Sequence, residues 1–136
     1  MKTMQAKMIW KGNMEMESEI RGLKVTMDAK EEDGGLNKGQ TPKELVLSGL
    51  CGCTGMDVIA ILKKMRSLPE SFTIEAEATL TEEHPKVFNN IHLKYIAKGV
   101  EKEKLEKAVK LSQEKYCGVS AMLRKTAEIT YEIIVL

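Results

Sequence analysis

Apolar and polar residues alternate with period two through the first thirty positions. In MEMESEIRG the apolar positions are Met14, Met16 and Ile20, and in LKVTMDA they are Leu23, Val25 and Met27, which predicts two half-buried strands. MQAKMIW before them reads as a third. Gly12-Asn13 and Arg21-Gly22 supply the turns of an antiparallel meander, and the polar stretch KEEDGGLNKGQ closes it as a loop.

The period then changes. In TPKELVLSGLCGCTGMDVIAILKKMR, Thr41 is placed to cap a helix, Pro42 occupies its first position, and Glu44 stands three residues after the cap, completing a capping box. The apolar side chains that follow surround the helix instead of forming a stripe, which predicts a central element buried on every side. Gly49, Gly52 and Gly55 each disfavour helix by up to about 1 kcal/mol relative to alanine, so a kink or break is expected near them.

Alternation returns at Phe72, Ile74, Ala76, Ala78 and Leu80, and again at Ile91, Leu93, Tyr95 and Ala97, two strands joined across TEEHPK. Leu105, Ala108, Val109 and Ser112 share one face of an amphipathic helix, GVSAMLRK reads as a short second helix, and AEITYEIIV as a last strand. The order βββ-α-ββ-αα-β predicts an α+β protein, residues 1–136 as one domain, with helices packed on antiparallel sheet.

The chain has 136 residues, 21 basic and 20 acidic, for a net charge of +1. That balance offers no footprint for nucleic acid or an anionic membrane. The start has no apolar stretch of signal-peptide length, and the uncharged run from Leu45 to Met56 is too short to span a bilayer. A cytoplasmic protein is expected. In that reducing compartment three cysteines do not build a structural disulfide framework, so any disulfide would be catalytic or regulatory.

Cys51, Cys53 and Cys117 are the candidates for chemistry. Buried free cysteine commonly behaves as a small hydrophobe. A Cys-x-Cys pair can hold a metal, but His84 and His92 lack a helpful spacing, so neither a metal nor a cofactor is expected. The third reading is a thiol reagent: Cys117 in EKYCGVS stands where one helix ends and another begins, a position that favours a thiolate. A redox pair of Cys53 and Cys117 would bring residues 64 apart in sequence to within about 6 Å between Cα atoms. Tyr116 and Trp10 could line an apolar pocket, but core packing is the favoured reading of both, and Arg66 and Arg124 read as solvated helix ends.

TPKELVLSGLCGCTGMDVIAIL, HPKVFNNIHLKYIAKG and AVKLSQEKYCGVSAML together resemble the OsmC/Ohr family of osmotically induced and organic hydroperoxide resistance proteins, nearly end to end. The family pattern is Pro-x-Glu-Leu, a cysteine nine residues after the glutamate, and a late Tyr-Cys-x-Val-Ser. Glu44, Cys53 and Cys117 take those positions. The resemblance implies antiparallel sheets wrapped around a buried central helix, and an intertwined homodimer with active sites at its interface. It also implies a thiol peroxidase for organic hydroperoxides, with Cys53 as the attacking thiolate, Cys117 as its disulfide partner, Glu44 as a further catalytic residue, and Cys51 as a bystander. The implied reductant is an external dithiol, such as a lipoylated protein. Where the hydroperoxide-resistance branch uses an arginine, the loop before Thr41 carries Lys30 and Lys38, so the OsmC-like subgroup is the better likeness.

Acidity alone cannot make such a thiol fast. Lowering its pKa by two units from about 8.5 raises the thiolate fraction at pH 7 about 25-fold, while falling nucleophilicity takes back roughly 6- to 10-fold. Orientation of the peroxide and help for the leaving alkoxide must supply the rest. A different class of function, a module that binds a small ligand or senses oxidants through Cys53, uses the same residues without turnover. Glu44 has two readings, cap and catalyst, because nine residues of unbroken helix set it on the opposite face from Cys53.

Overall fold

The computed structural model describes residues 1–136, which divide into two compact units, Met1–Val46 and Leu47–Leu136. The first holds strands β1 (Lys7–Gly12), β2 (Glu15–Ile20) and β3 (Leu23–Met27), paired antiparallel in that order. The two turns fall where expected. Gly12 and Asn13 have φ of 104° and 50°, and Arg21 and Gly22 have 55° and 79°, the left-handed values that a tight hairpin needs.

After β3 the chain winds around one carboxylate. Asp28 accepts hydrogen bonds from the backbone N–H groups of Ala29 (2.8 Å), Leu36 (3.1 Å) and Lys38 (3.1 Å). Burial of Asp28 opposes its charge, but these three donors and the Lys38 ammonium outweigh it and hold the carboxyl below its ordinary value. Gly35 is required in this loop: a Cβ there would lie 1.9 Å from the carbonyl oxygen of Ala29.

Helix α1 (Pro42–Lys64) opens with the capping box in full. Thr41 N–H donates to Glu44 Oε1 at 2.9 Å, and Glu44 N–H donates to Thr41 Oγ1 at 3.3 Å. No break follows. α1 is helical throughout, so the chain does not break at the glycines: its buried side chains offset the weak local propensity.

The second unit holds β4 (Ser71–Leu80), β5 (Phe88–Lys98), α2 (Lys102–Leu111), α3 (Gly118–Leu123) and β6 (Glu128–Val135). Its sheet has the order β4-β5-β6. β4 and β5 form the expected antiparallel hairpin, but β6 pairs parallel to β5, from Asn90 opposite Glu128 to Ala97 opposite Val135. The all-antiparallel expectation is corrected here: helices α2 and α3 carry the chain back to the start of β5, the crossover that parallel pairing demands.

The core of this unit joins Leu50, Val58 and Leu62 of α1, Ile91, Leu93, Tyr95 and Ala97 of β5, and Leu105, Ala108 and Val109 of α2. α1 thus contributes a stripe at i, i+4 spacing, Leu50, Thr54, Val58 and Leu62. Burial on every side, the expectation from its composition, is not met within one chain: Met56 is 77% exposed. By length and composition α1 could cross a membrane, contrary to the estimate from its uncharged run alone, yet its stripe fills the core of the second unit. In the first sheet β2 is half-buried as expected, whereas β1 and β3 are more open, with Trp10, Leu23 and Val25 exposed.

Candidate active site

Two elements deliver the site. On α1, Cys53 and Asp57 are one helical turn apart and project on the same face. The other element starts where α2 ends: its hydrogen-bond ladder widens to a single π turn, Ser112–Tyr116, and the N–H of Cys117 donates to Ser112 O at 2.7 Å. Cys117 then caps α3, as its place between two helical patterns predicts.

Cys53 Sγ, Cys117 Sγ and an Asp57 carboxylate oxygen lie within 4.8 Å of one another. The two cysteines have thus been brought together across 64 residues. They differ in access: Cys53 is half-buried, whereas Cys117 is 4% exposed. The Cys117 sulfur accepts hydrogen bonds from Ser120 Oγ (3.1 Å) and Ser120 N–H (3.4 Å).

Burial nevertheless pushes the Cys117 thiol up from its ordinary value; the Ser120 donors oppose the rise, and adjacent Cys53 adds to it. The expectation that a helix start favours a thiolate at Cys117 is therefore corrected. Desolvation wins there. Cys51 stands outside the cluster, beside Gly52, Gly55, Met56 and Ile59 in an open apolar groove, and burial raises its pKa as well.

Behind the sulfurs lies a buried polar chain whose proton directions can be derived. Ser112 Oγ is 2.9 Å from Asp57 Oδ2, and a carboxylate only accepts, so the Ser112 proton goes to Asp57. Thr54 Oγ1, 2.7 Å from Ser112 Oγ, must then donate to it. With its one proton so used, Thr54 accepts from Tyr95 Oη at 2.7 Å. The Gln113 amide N–H₂ donates to Thr54 Oγ1 (3.1 Å) and to Tyr95 Oη (2.8 Å). Arg124 fixes that amide's orientation by donating to Gln113 Oε1 and Gln113 O, both at 2.5 Å. Arg124 is thus part of the scaffold of the site, contrary to its reading as a solvated helix end.

Tyr95, fully buried, has its hydroxyl pushed up to about 12 from an ordinary 10.0, chiefly by desolvation. The native state therefore holds the proton that the unfolded chain gives up near pH 10. Tyr95 adds stability fully below pH 10, and that contribution is lost as pH rises to about 12. Denaturation followed from pH 9 to 12 should show a steeper decline for the native protein than for Tyr95→Phe.

Beside Asp57 opens a cleft of about 310 Å³ lined by Ala60, Ile61, Lys64, Leu111 and Tyr116. Tyr116 is 54% exposed at its rim, with Lys115 Nζ 5.3 Å from its ring centre. Trp10 is 68% exposed, its Nε1–H donating to Asn13 O. Neither aromatic is core packing, contrary to the favoured expectation, and Tyr116 instead lines the cleft, its alternative reading. Asp57, Thr54, Ser112, Gln113, Ser120 and Arg124 were not selected from the sequence. For Asp57 a signal existed, its i+4 spacing from Cys53 on one helix face.

Glu44 is engaged in the cap, and hydrogen bonding to Thr41 lowers its pKa, aided by the Lys30 charge. Thr41→Ala should cost about 1 kcal/mol in thermal or denaturant unfolding. Glu44→Gln keeps the cap's hydrogen bonds and loses only the stabilising charge, so it should cost less than Thr41→Ala, and a large fall in turnover would report a role for that charge beyond the cap.

A family profile described as "OsmC-like protein" matches residues 33–132. The chain belongs to the OsmC-like family. Among its OsmC-like relatives, Protein YhfA of Escherichia coli K12 is 34% identical, over 96% of this chain and 98% of that protein. A hypothetical protein from Aquifex aeolicus VF5 superposes with a TM-score of 0.84 at 33% identity, covering 100% of this chain and 99% of that one. An organic hydroperoxide resistance protein OsmC from Legionella pneumophila shares the fold at 21% identity, with a TM-score of 0.74 and 98% of each chain covered. The OsmC-like fold expected from the sequence is confirmed.

Proposed function

We propose that this protein is a thiol peroxidase that reduces organic hydroperoxides through Cys53 and Cys117. The observation that carries the reading is the pairing itself: two sulfurs within 4.8 Å, one half-buried and one nearly sealed. The accessible Cys53 thiolate attacks the distal peroxide oxygen, the O–O bond breaks, and Cys53 becomes a sulfenic acid as the alkoxide leaves and takes a proton from water to become the alcohol. Cys117, which burial keeps protonated until then, passes its proton to the departing hydroxide as its sulfur attacks that of Cys53, forming the disulfide and releasing water. Bringing two sulfurs from within 4.8 Å to bonding distance needs a closure of under about 3 Å.

The cleft beside Asp57 supplies an apolar seat for an organic group, which favours alkyl hydroperoxides over hydrogen peroxide. A small external dithiol or lipoylated protein regenerates the pair. The working form is a homodimer, in which a second copy covers the exposed groove around Gly52, Gly55 and Met56 on α1 and the exposed apolar residues of the first sheet.

The assay is consumption of cumene hydroperoxide in the presence of a dithiol. Many equivalents reduced per protein chain support the enzyme. A single stoichiometric burst points to an oxidant sensor, and no consumption to ligand binding.

A further inference from the structure

We propose that the reduced protein binds one divalent zinc-type cation through Cys53 Sγ, Cys117 Sγ and an Asp57 carboxylate oxygen. These three atoms are held within 4.8 Å of one another. Zinc in tetrahedral coordination, with bonds of about 2.3 Å to sulfur and 2.0 Å to oxygen, separates such ligand atoms by about 3.5 to 3.8 Å. Each atom reaches its place with a shift on the order of 1 Å. Three protein ligands leave the fourth position for water or a small thiol, the arrangement of an open zinc site.

The surroundings fit a metal centre in two further respects. Zinc-bound groups are oriented by outer hydrogen bonds, and both kinds are built here. Ser112 donates to Asp57 Oδ2 and so fixes the carboxylate's orientation, and Ser112 is itself locked by Thr54. Ser120 gives Cys117 Sγ two donors, which stabilise a metal-bound thiolate. Charge is the second respect. Once an ion has displaced the two thiol protons, the thiolates and the carboxylate offer it three negative charges, and none of the five ion pairs seen in the chain engages Asp57. A divalent ion compensates the cluster and displaces both thiol protons, so affinity rises with pH.

Histidine is absent from this cluster: His92 bonds Thr130 and Glu132. The cation holds both sulfurs in the reduced state, so it competes with disulfide formation and suppresses whatever peroxide turnover the protein has.

The test is titration of the fully reduced protein, without oxygen, with Zn²⁺ against a chromophoric chelator, and with Co²⁺ followed by absorption. One equivalent of Zn²⁺ is expected, and Co²⁺ should show thiolate charge-transfer bands with the intense visible bands of tetrahedral geometry. Alkylation of the thiols should abolish both. Cys51→Ser should leave the affinity unchanged, Asp57→Asn should lower it at least about 100-fold, and Ser120→Ala about tenfold. The proposal is overturned if wild type does not compete with the chelator, if its Co²⁺ spectrum lacks thiolate bands, or if Asp57→Asn binds like wild type. The wild-type spectra decide the matter even if a variant fails to fold. Binding is read without peroxide, so its failure is distinct from failure of the peroxidase reading.

Discussion

Cys53→Ser is expected to bring hydroperoxide turnover to background, a loss of at least about a thousandfold. A serine hydroxyl is not ionised at neutral pH and cannot accept the peroxide oxygen in a form that a thiol reduces, so the whole sequence of steps stops. Cys117→Ser has a different signature. The first attack survives, because Cys53 is the more accessible sulfur, but the sulfenic acid has lost the thiol held within 4.8 Å with which it would condense. One equivalent should be consumed, followed by progressive oxidation of Cys53 to the sulfinic acid and loss of activity. Cys51→Ser should behave as wild type, since Cys51 lies outside the cluster. Steady-state and single-turnover peroxide assays on the three variants check all of this. Full activity in Cys53→Ser would exclude the mechanism.

Thr54→Val should produce the largest loss of stability among conservative substitutions. Valine matches the shape of threonine, so the packing against Leu50 and Val58 on the same stripe is kept. The hydroxyl is what disappears. Tyr95 then lacks the acceptor for its proton, one N–H of Gln113 is orphaned, and Ser112 loses a donor, all in residues no more than 3% exposed. Each buried unsatisfied group costs about 1 to 3 kcal/mol, giving a total of roughly 2 to 5 kcal/mol. A fall in Tm on the order of 10 °C follows for a chain of this size. Tyr95→Phe combined with Thr54→Val removes the orphaned hydroxyl and should recover part of the loss, a non-additivity visible in a double-mutant cycle.

Much of the fold was legible because its signals are local. The left-handed turns need only Gly12-Asn13 and Arg21-Gly22, the cap needs only Thr41 and Glu44, and α2 announces its buried face through Leu105, Ala108 and Val109. The parallel pairing of β6 was not legible. Its strand pattern is the same whichever way it runs, and direction is settled by the crossover through α2 and α3.

The continuity of α1 was also misjudged, since intrinsic propensity at three glycines argues for a break and tertiary burial of Leu50, Thr54, Val58 and Leu62 overrides it. In the site, the two cysteines could be picked out by residue type. The polar chain could not, because Thr54, Tyr95, Ser112 and Gln113 come from a helix, a strand and a π turn, and each is unremarkable in its own segment. Asp57 was missed for a different reason. It completes the cluster only once α1 is known to continue past Gly55.

The central claim, that Cys53 and Cys117 act as one redox pair, is tested most directly by mass spectrometry of the reduced protein after a single equivalent of cumene hydroperoxide. A non-reducing digest should contain one peptide joining Cys53 to Cys117, two hydrogen atoms lighter than its parts, with Cys51 free. An over-oxidised Cys53 beside an untouched Cys117, a link from Cys51, or three unmodified thiols would contradict it.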